Sequence, residues 1–443
     1  MAITKVTSSV LDVDIPAFKT FGTSSIMIGD TTTGTIDAAN YNTGLGVGVF
    51  NALTSGDNNT AVGFSTLTAN TTGHTNTAVG YNALTANTTG AVNTAIGNEA
   101  LDTNTTGNYN TALGYAALYA NTTASYNTAV GSNALDANST GAENVAIGVN
   151  AIGSNTTGSD NVGIGSNALA NNTTASKNTA VGRSALYANT TGIYNTSVGT
   201  YALQATTTTN ANTAVGYNAG TSNTGTENTF IGYEAGGDVT SGGTNTFIGY
   251  HAGHYQNAVT TGSDNTVVGA YARTSSATVS NEGVYGRYAL GQGASTATIG
   301  ISGNGVHIAL NGSTTSWSAH SDERLKENIQ DSTAGLSFIN DLRPITYNWK
   351  SKKDISEDFV NYYDADSEEP VQGQVKQTNH GFIAQEVKTA IDAHPEIKEG
   401  HSIWRESPDG VQNVADGALV PMLVKAIQEL SAEVETLKSQ LRE

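Results

Sequence analysis

The sequence has no cysteine, six prolines and three tryptophans in 443 residues, and it carries half as many basic as acidic side chains. Without cysteine there is no disulfide and no thiolate metal ligand. The shortage of Lys and Arg, with a net charge of −19, leaves no basic stripe and argues against nucleic acid as a partner. No apolar run reaches the length of a membrane span, so no membrane insertion is expected. The opening MAITKVTSSVLDVDIP is too polar for a secretory leader, and the expectation is synthesis in a cytoplasm with release by another route. The eight histidines are scattered without metal-ligand spacing, so neither a metal nor a cofactor is expected.

What is present divides unevenly. Of 50 glycines 44 precede Ser321, whereas five of the six prolines follow it. Residues 1–320 hold 15 acids and six Lys/Arg; residues 321–443 hold 23 and 13. In the first part the phrase N-T-A-[V/I]-G places a marker glycine every 17 residues from Gly29 to Gly216, then less regularly at Gly232, Gly249, Gly269 and Gly286. A short fixed period is the signature of a solenoid whose coils cannot bury an apolar face alone. Asn, Thr and Gly dominate, and the apolar spacing does not follow 3.6, which argues against helix.

The columns of the repeat have physical readings. An aliphatic residue precedes each marker (Val62, Val79, Ile96), and Leu or Ile follows four later (Leu67, Leu84, Ile152). The Asn four before the marker recurs from Asn42 to Asn265, and stacked carboxamides can hydrogen-bond along a ladder. A second glycine (Gly73, Gly90, Gly107) is expected to supply a turn with positive φ. Two large aliphatics per coil make a thin core for one chain, so both columns are expected to be pooled by three chains at a common axis. Sixteen coils at ~4.8 Å would make a rod of roughly 75–80 Å. After Gly216, Leu gives way to Gly220, Gly236 and Gly253, and aromatics enter at Phe230, Tyr233, Phe247, Tyr250 and Tyr255. That change reads either as a tapering rod end or as a surface facing carbohydrate.

From Ser321 the composition becomes ordinary. A helix is expected over 333–342, stopped by Pro344, then a strand over 345–350, a charged loop over 351–375, a strand at 381–384 and a helix over 385–393. From Val420 a heptad runs with Val420, Ile427, Val434 and Leu441 at a and Leu423, Leu430 and Leu437 at d. That a/d pattern by itself favours two strands.

Four runs in this part, SDERLKENI, GLSFINDLRPITYNWK, NHGFIAQEV and LVPMLVKAIQELSAEVETLKSQL, resemble the C-terminal intramolecular chaperone of phage tail spikes, tail fibres and endosialidases. The resemblance covers about 120 residues in order and says nothing of residues 1–320. It implies a domain that trimerises the protein ahead of it and then cuts itself off, with Ser321 as nucleophile, Lys326 as its base and His320–Ser321 as the scissile bond. A hydroxyl and an amine can act so if the amine is desolvated enough to be neutral. Five residues along a helix are roughly 140° apart, so a shared face is excluded. Either Ser321 lies on extended chain before a helix, or Lys326 comes from a neighbouring protomer. The competing reading makes Ser321 a helix N-cap with acids in the first turn. The solenoid unit for its part resembles the head repeats of trimeric autotransporter adhesins, whose period is shorter.

The expected fold is therefore an all-β trimeric solenoid or β-roll of 17-residue coils, followed by an α+β chaperone ending in a parallel trimeric coiled coil. The expected segments are an attachment segment at 1–24, the rod at 25–300, a neck at 301–320 and the chaperone at 321–443, with its coiled coil at 419–443. The function this implies is a phage tail fibre or receptor-binding appendage, a homotrimer of the virion tail. Its N-terminus would join the tail or baseplate, and its rod would meet a host surface receptor, a glycan among the candidates. Its only enzymatic act would be single-turnover self-cleavage. A glycan-degrading tail spike needs a cleft with paired acids, and a cellular adhesin needs a leader and an anchor; these are the alternatives.

Overall fold

The computed structural model describes residues 17–21, 25–29, 38–256, 258–302, 304–310, 318–319, 326–356, 363–372, 378–398, 402–407 and 410–442. The chain divides into two compact units, Met1–His320 and Ser321–Glu443.

The first unit is a β-solenoid of about sixteen coils. Strands of mostly three residues stack in parallel from Ser25–Gly29 through Thr43–Gly46 and Thr60–Val62 up to Thr296–Ile301. In the regular part each residue lies opposite its copy 17 later, as Thr60, Ala61 and Val62 lie against Thr77, Ala78 and Val79. Antiparallel strands finish both ends, Ala17–Phe21 on Ser25–Gly29 and Asn304–Ala309 on Thr296–Ile301. They cover edges that would otherwise offer unpaired backbone to another chain.

Alternation along each strand decides what is inside. In Thr-Ala-Val the middle residue points inward, so Ala61, Ala78 and Ala95 are fully buried while the aliphatic before the marker faces out. Ile96, Leu113 and Ile147 are each about two-fifths exposed. The Leu column does the reverse, with Leu67, Leu84 and Leu101 sealed inside their own coils. The pooling of both columns between chains is thus corrected: Leu is spent within each chain, and only the Val/Ile column is left on the surface.

The expected role of the second glycine is also corrected. Gly90 does not have a positive φ. A Cβ there would lie 2.3 Å from Asn87 Oδ1 and 2.6 Å from the Gly107 carbonyl oxygen, so close approach of the next coil is what requires glycine. Left-handed corners are occupied instead by non-glycine residues, such as Thr75, Asn82 and Leu84 with φ of 59°, 55° and 53°. Their strain, about 1–2 kcal/mol each, is offset by burial and by inter-coil bonds such as Leu84 N–H to the Ala100 carbonyl at 3.0 Å.

Two ladders of buried Asn run through the coils. In the one visible from the repeat, Asn59 donates through its backbone N–H and its Nδ2 to Asn42 Oδ1 (2.9 and 3.1 Å) and through Nδ2 to the Gly73 carbonyl (3.0 Å). In the second, Asn87 Nδ2 donates to Asn70 Oδ1 at 2.8 Å, and the pattern repeats coil by coil up to Asn189. At the following position stands Thr206, whose hydroxyl donates elsewhere, to the Asn223 carbonyl at 2.8 Å. Asn189 Oδ1 is left buried without a hydrogen bond.

Where Leu becomes Gly after Gly216, the core exchanges volume between columns. Phe230 and Phe247 take the inward Ala position and are fully buried. A Cβ on Gly236 would lie 2.3 Å from the Phe230 ring, and one on Gly253 2.4 Å from the Phe247 ring. These two phenylalanines therefore fill the core and are not part of any sugar-facing surface.

The second unit contains α1 (Leu336–Asn340), α2 (Ala384–Ala393) and α3 (Val420–Gln440). Two antiparallel strand pairs accompany them, Ile345–Tyr347 with Asn379–Gly381 and Trp404–Glu406 with Gln412–Val414. The first helix and first strand are shorter than the sequence pattern predicts. A small core forms from Phe338, Val387, Ile391, Ile403 and Leu419. On α3 only Ala426 is buried, whereas the heptad residues Leu423, Ile427, Leu430, Val434 and Leu437 are all exposed. This α+β unit with its C-terminal helix agrees with the expected class, and the exposed heptad is consistent with a coiled coil.

Two substitutions test the core. Thr206→Asn restores a donor to Asn189 Oδ1 and should stabilise the protein by about 1 kcal/mol, read as a slower rate of thermal unfolding. Phe230→Ala should cost about 3–5 kcal/mol. Adding Gly236→Leu, which rebuilds the ordinary coil, should return most of that loss in denaturant melts.

Candidate functional site

The sequence places the chemistry at His320, Ser321 and Lys326. His320 and Ser321 lie outside the described residues. Lys326 is exposed and non-helical, and residues 326–335 contain no helix. Among the described residues of this unit the first helix begins at Leu336.

The chain downstream of Lys326 is tied to α3. Glu429 Oε2 accepts the Leu336 backbone N–H at 2.7 Å and so caps the start of α1, which has no cap of its own. A Cβ on Gly335 would lie 2.3 Å from that oxygen, so a larger residue there would displace the Glu429 carboxylate. Lys425 stands 3.6 Å from the other Glu429 oxygen, one turn away along α3.

Below α1, His394 ends α2 and is almost fully buried. Its Nε2 is 2.8 Å from Asp341 Oδ2 and its Nδ1 2.9 Å from Glu396 Oε1, with the Phe338 ring edge-on. The hydrogen bond to Asp341, then that to Glu396, raises the imidazole above the usual histidine range against the opposing effect of burial. Arg343 pairs with Glu386 through two nitrogens, and the carboxyl is held below its usual range by that bond.

The histidines are not all scattered. His251 and His254 come together with Glu234, because the 17-residue period sets position 234 beside position 251 in the neighbouring coil. Sequence reasoning missed this group by looking for spacing within one segment; the signal was the period itself. Burial lowers the His251 imidazole below the usual range, against the Glu234 carboxylate, which raises it.

The fold and the described residues define a β-solenoid followed by a small α+β unit, which fits a tail fibre with a C-terminal chaperone. Residues 321–394 match the model of one family, described as the chaperone of endosialidase. Among curated proteins no match to the chain is found. Among the described residues no helix is long and apolar enough to cross a membrane.

The His394 pairings give a pH dependence. A raised histidine contributes stability that is fully present below its unfolded value near 6.5 and is lost as pH rises through the higher folded value. Urea melts of the second unit's transition should therefore show falling stability from about pH 6.5 upward. His394→Gln should flatten that slope.

Proposed function

We propose that this chain is a phage tail fibre or receptor-binding appendage whose C-terminal unit drives trimerisation and then releases itself at His320–Ser321. The carrying observation is the family match, which begins at Ser321. The exposed heptad of α3 and the outward Val/Ile column supply apolar surface that an assembly of three chains would cover. The family points to a trimer where the a/d pattern alone points to two strands. Attachment to a tail or baseplate through residues 1–24, and contact with a host surface receptor, complete this reading.

Ser321 Oγ attacks the carbonyl carbon of His320 while Lys326 Nζ, in its neutral form, takes the hydroxyl proton. Lys326 passes that proton to the Ser321 nitrogen as the amide C–N bond breaks, which frees the Ser321 amine and leaves His320 as an ester on Oγ. Water hydrolyses that ester, returning the hydroxyl and giving a C-terminal carboxylate on His320. The Glu429 bond to Leu336 joins α3 to the chain that follows Lys326. That link offers a route by which assembly of the helix could set the geometry of the cleavage segment. A base supplied by a neighbouring protomer would couple the two events directly.

The full-length protein should appear as fragments 1–320 and 321–443 without added protease, the second beginning at Ser321 by mass spectrometry. Ser321→Ala and Lys326→Ala should each leave an intact chain, and light scattering on the intact variant should give three times the chain mass. Cleavage at another bond, full cleavage of Ser321→Ala, or a stable folded monomer would overturn the proposal.

A further inference from the structure

Near the end of the solenoid two of three successive coils depart from the period: the marker glycines run Gly216, Gly232, Gly249 and Gly269, at spacings of 16, 17 and 20. On the outside of these coils Glu234 and His251 occupy the same left-handed corner in successive coils, with φ of 52° and 54°. Their relative position is fixed by the strand pairing of Thr229–Ile231 with Thr246–Ile248 and by His251 N–H donating to the Tyr233 carbonyl at 2.9 Å. His254 follows three residues on, its N–H donating to the His251 carbonyl at 3.2 Å.

Glu234 Oε2 lies 3.3 Å from His251 Nδ1 and 3.4 Å from His254 Nε2. Both contacts exceed the roughly 2.7–2.9 Å of a charge-assisted hydrogen bond. They match the edge of a tetrahedron around an ion bonded at about 2.0–2.1 Å, which is about 3.4 Å. One donor atom from each of the three residues falls within 4.8 Å of the others. We propose that Glu234, His251 and His254 bind one divalent transition-metal ion of the zinc class on the outer face of the solenoid. The assignment does not depend on the proposed self-processing.

The donor set selects the ion. Two imidazoles and one carboxylate suit zinc, cobalt or nickel, whereas calcium and magnesium require a shell of oxygens. Three protein ligands leave a fourth position for water or an outside donor.

The surroundings hold the ligands in place. Asp238 Oδ2 is 2.9 Å from His254 Nδ1, on the far side of the ring from Glu234. That contact is short but out of line for a hydrogen bond. A small ring rotation toward an ion would bring it into the carboxylate–histidine–metal arrangement that fixes a ligand's tautomer. Gly237 leaves the space for this, since a Cβ there would stand 3.1 Å from His254 Nδ1. Asn218 Nδ2 approaches Glu234 Oε1 at 3.4 Å, holding the carboxylate's other oxygen. Rings enclose the group: His251 stacks on His254 and on Tyr271, with Tyr250 edge-on at 4.3 Å between centroids. An ion here would join two coils at the place where the following coil lengthens.

The experiment uses the full chain without a histidine tag, stripped with chelator and titrated with zinc, cobalt and calcium chlorides. Calorimetry should give one zinc per chain with a micromolar or tighter Kd, and no calcium binding that displaces it. The cobalt form should show the visible bands of a four-coordinate nitrogen–oxygen site, a readout that needs no variant. His251→Ala, His254→Ala and Glu234→Gln should each weaken zinc at least a hundredfold, Asp238→Asn by about tenfold, and the distant His74→Ala not at all. Zinc should also raise the melting temperature of the parent protein and not that of His251→Ala. Absence of a one-equivalent site, equal binding of calcium, an octahedral hexa-aquo cobalt spectrum, or unchanged stoichiometry in a His251→Ala/His254→Ala double variant would each overturn the assignment.

Discussion

Every coil of the solenoid lies on a near-copy of itself, one strand spacing away, and each side chain must therefore be compatible with its own image. A buried carboxamide meets that condition well. It carries an acceptor and two donor protons, so Asn59 can donate to Asn42 below while its own oxygen receives Asn76 above. Burying such a group unpaired costs several times what one bond returns, and the ladder therefore fixes register as well as adding stability. Glycine answers the same condition where backbone meets backbone. A Cβ on Gly80 would lie 2.2 Å from the carbonyl oxygen of Gly97 in the next coil.

The 17-residue period, the solenoid and the first Asn ladder were all legible, because a period is a property of the sequence alone. Which columns face inward was less so. Thr-Ala-Val reads as a strand with its aliphatic in the core, yet the coil's narrow interior admits Ala there and sends Val outward. Phe230 illustrates the same limit: an aromatic among glycines suggests a binding surface until Gly236 is seen to vacate the volume the ring fills. The second unit followed its pattern in part: α1 and the first strand are shorter than expected, the strand expected at 381–384 lies at Asn379–Gly381, and the pair Trp404–Glu406 with Gln412–Val414 was not anticipated. The α1 helix depends on a carboxylate 93 residues away for its cap. No local signal carries that. The roles proposed for Ser321 and Lys326 rest on the motif and the family match.

The α3 helix faces two ways. Met422 packs against the unit's own core, Ala426 is buried and Glu429 reaches α1, while Ile427, Leu430, Val434 and Leu437 stay in contact with solvent. A helix buried on one side and carrying an exposed heptad stripe on the other is consistent with a coiled coil. The solenoid repeats this division in β form, with Leu and Ala enclosed and Val/Ile displayed. In both units, among the described residues, the enclosed side chains form the cores and the displayed ones stay exposed.

Stacking also explains the charge distribution. Two carboxylates in one column stand about 4.8 Å apart and repel by about 1 kcal/mol even in bulk water, more beside a low-dielectric wall. A column of acids would add that penalty at every step. Among the regular coils only Glu143 and Asp160 place acid over acid, and Lys177 stands next in the same column. Elsewhere an acid has neutral or histidine neighbours, as Glu234 has Asn218 on one side and His251 on the other. The solenoid is therefore rich in Asn and Thr, whose polarity survives repetition. The charged residues are concentrated after Ser321, where no 17-residue coil stacks on another.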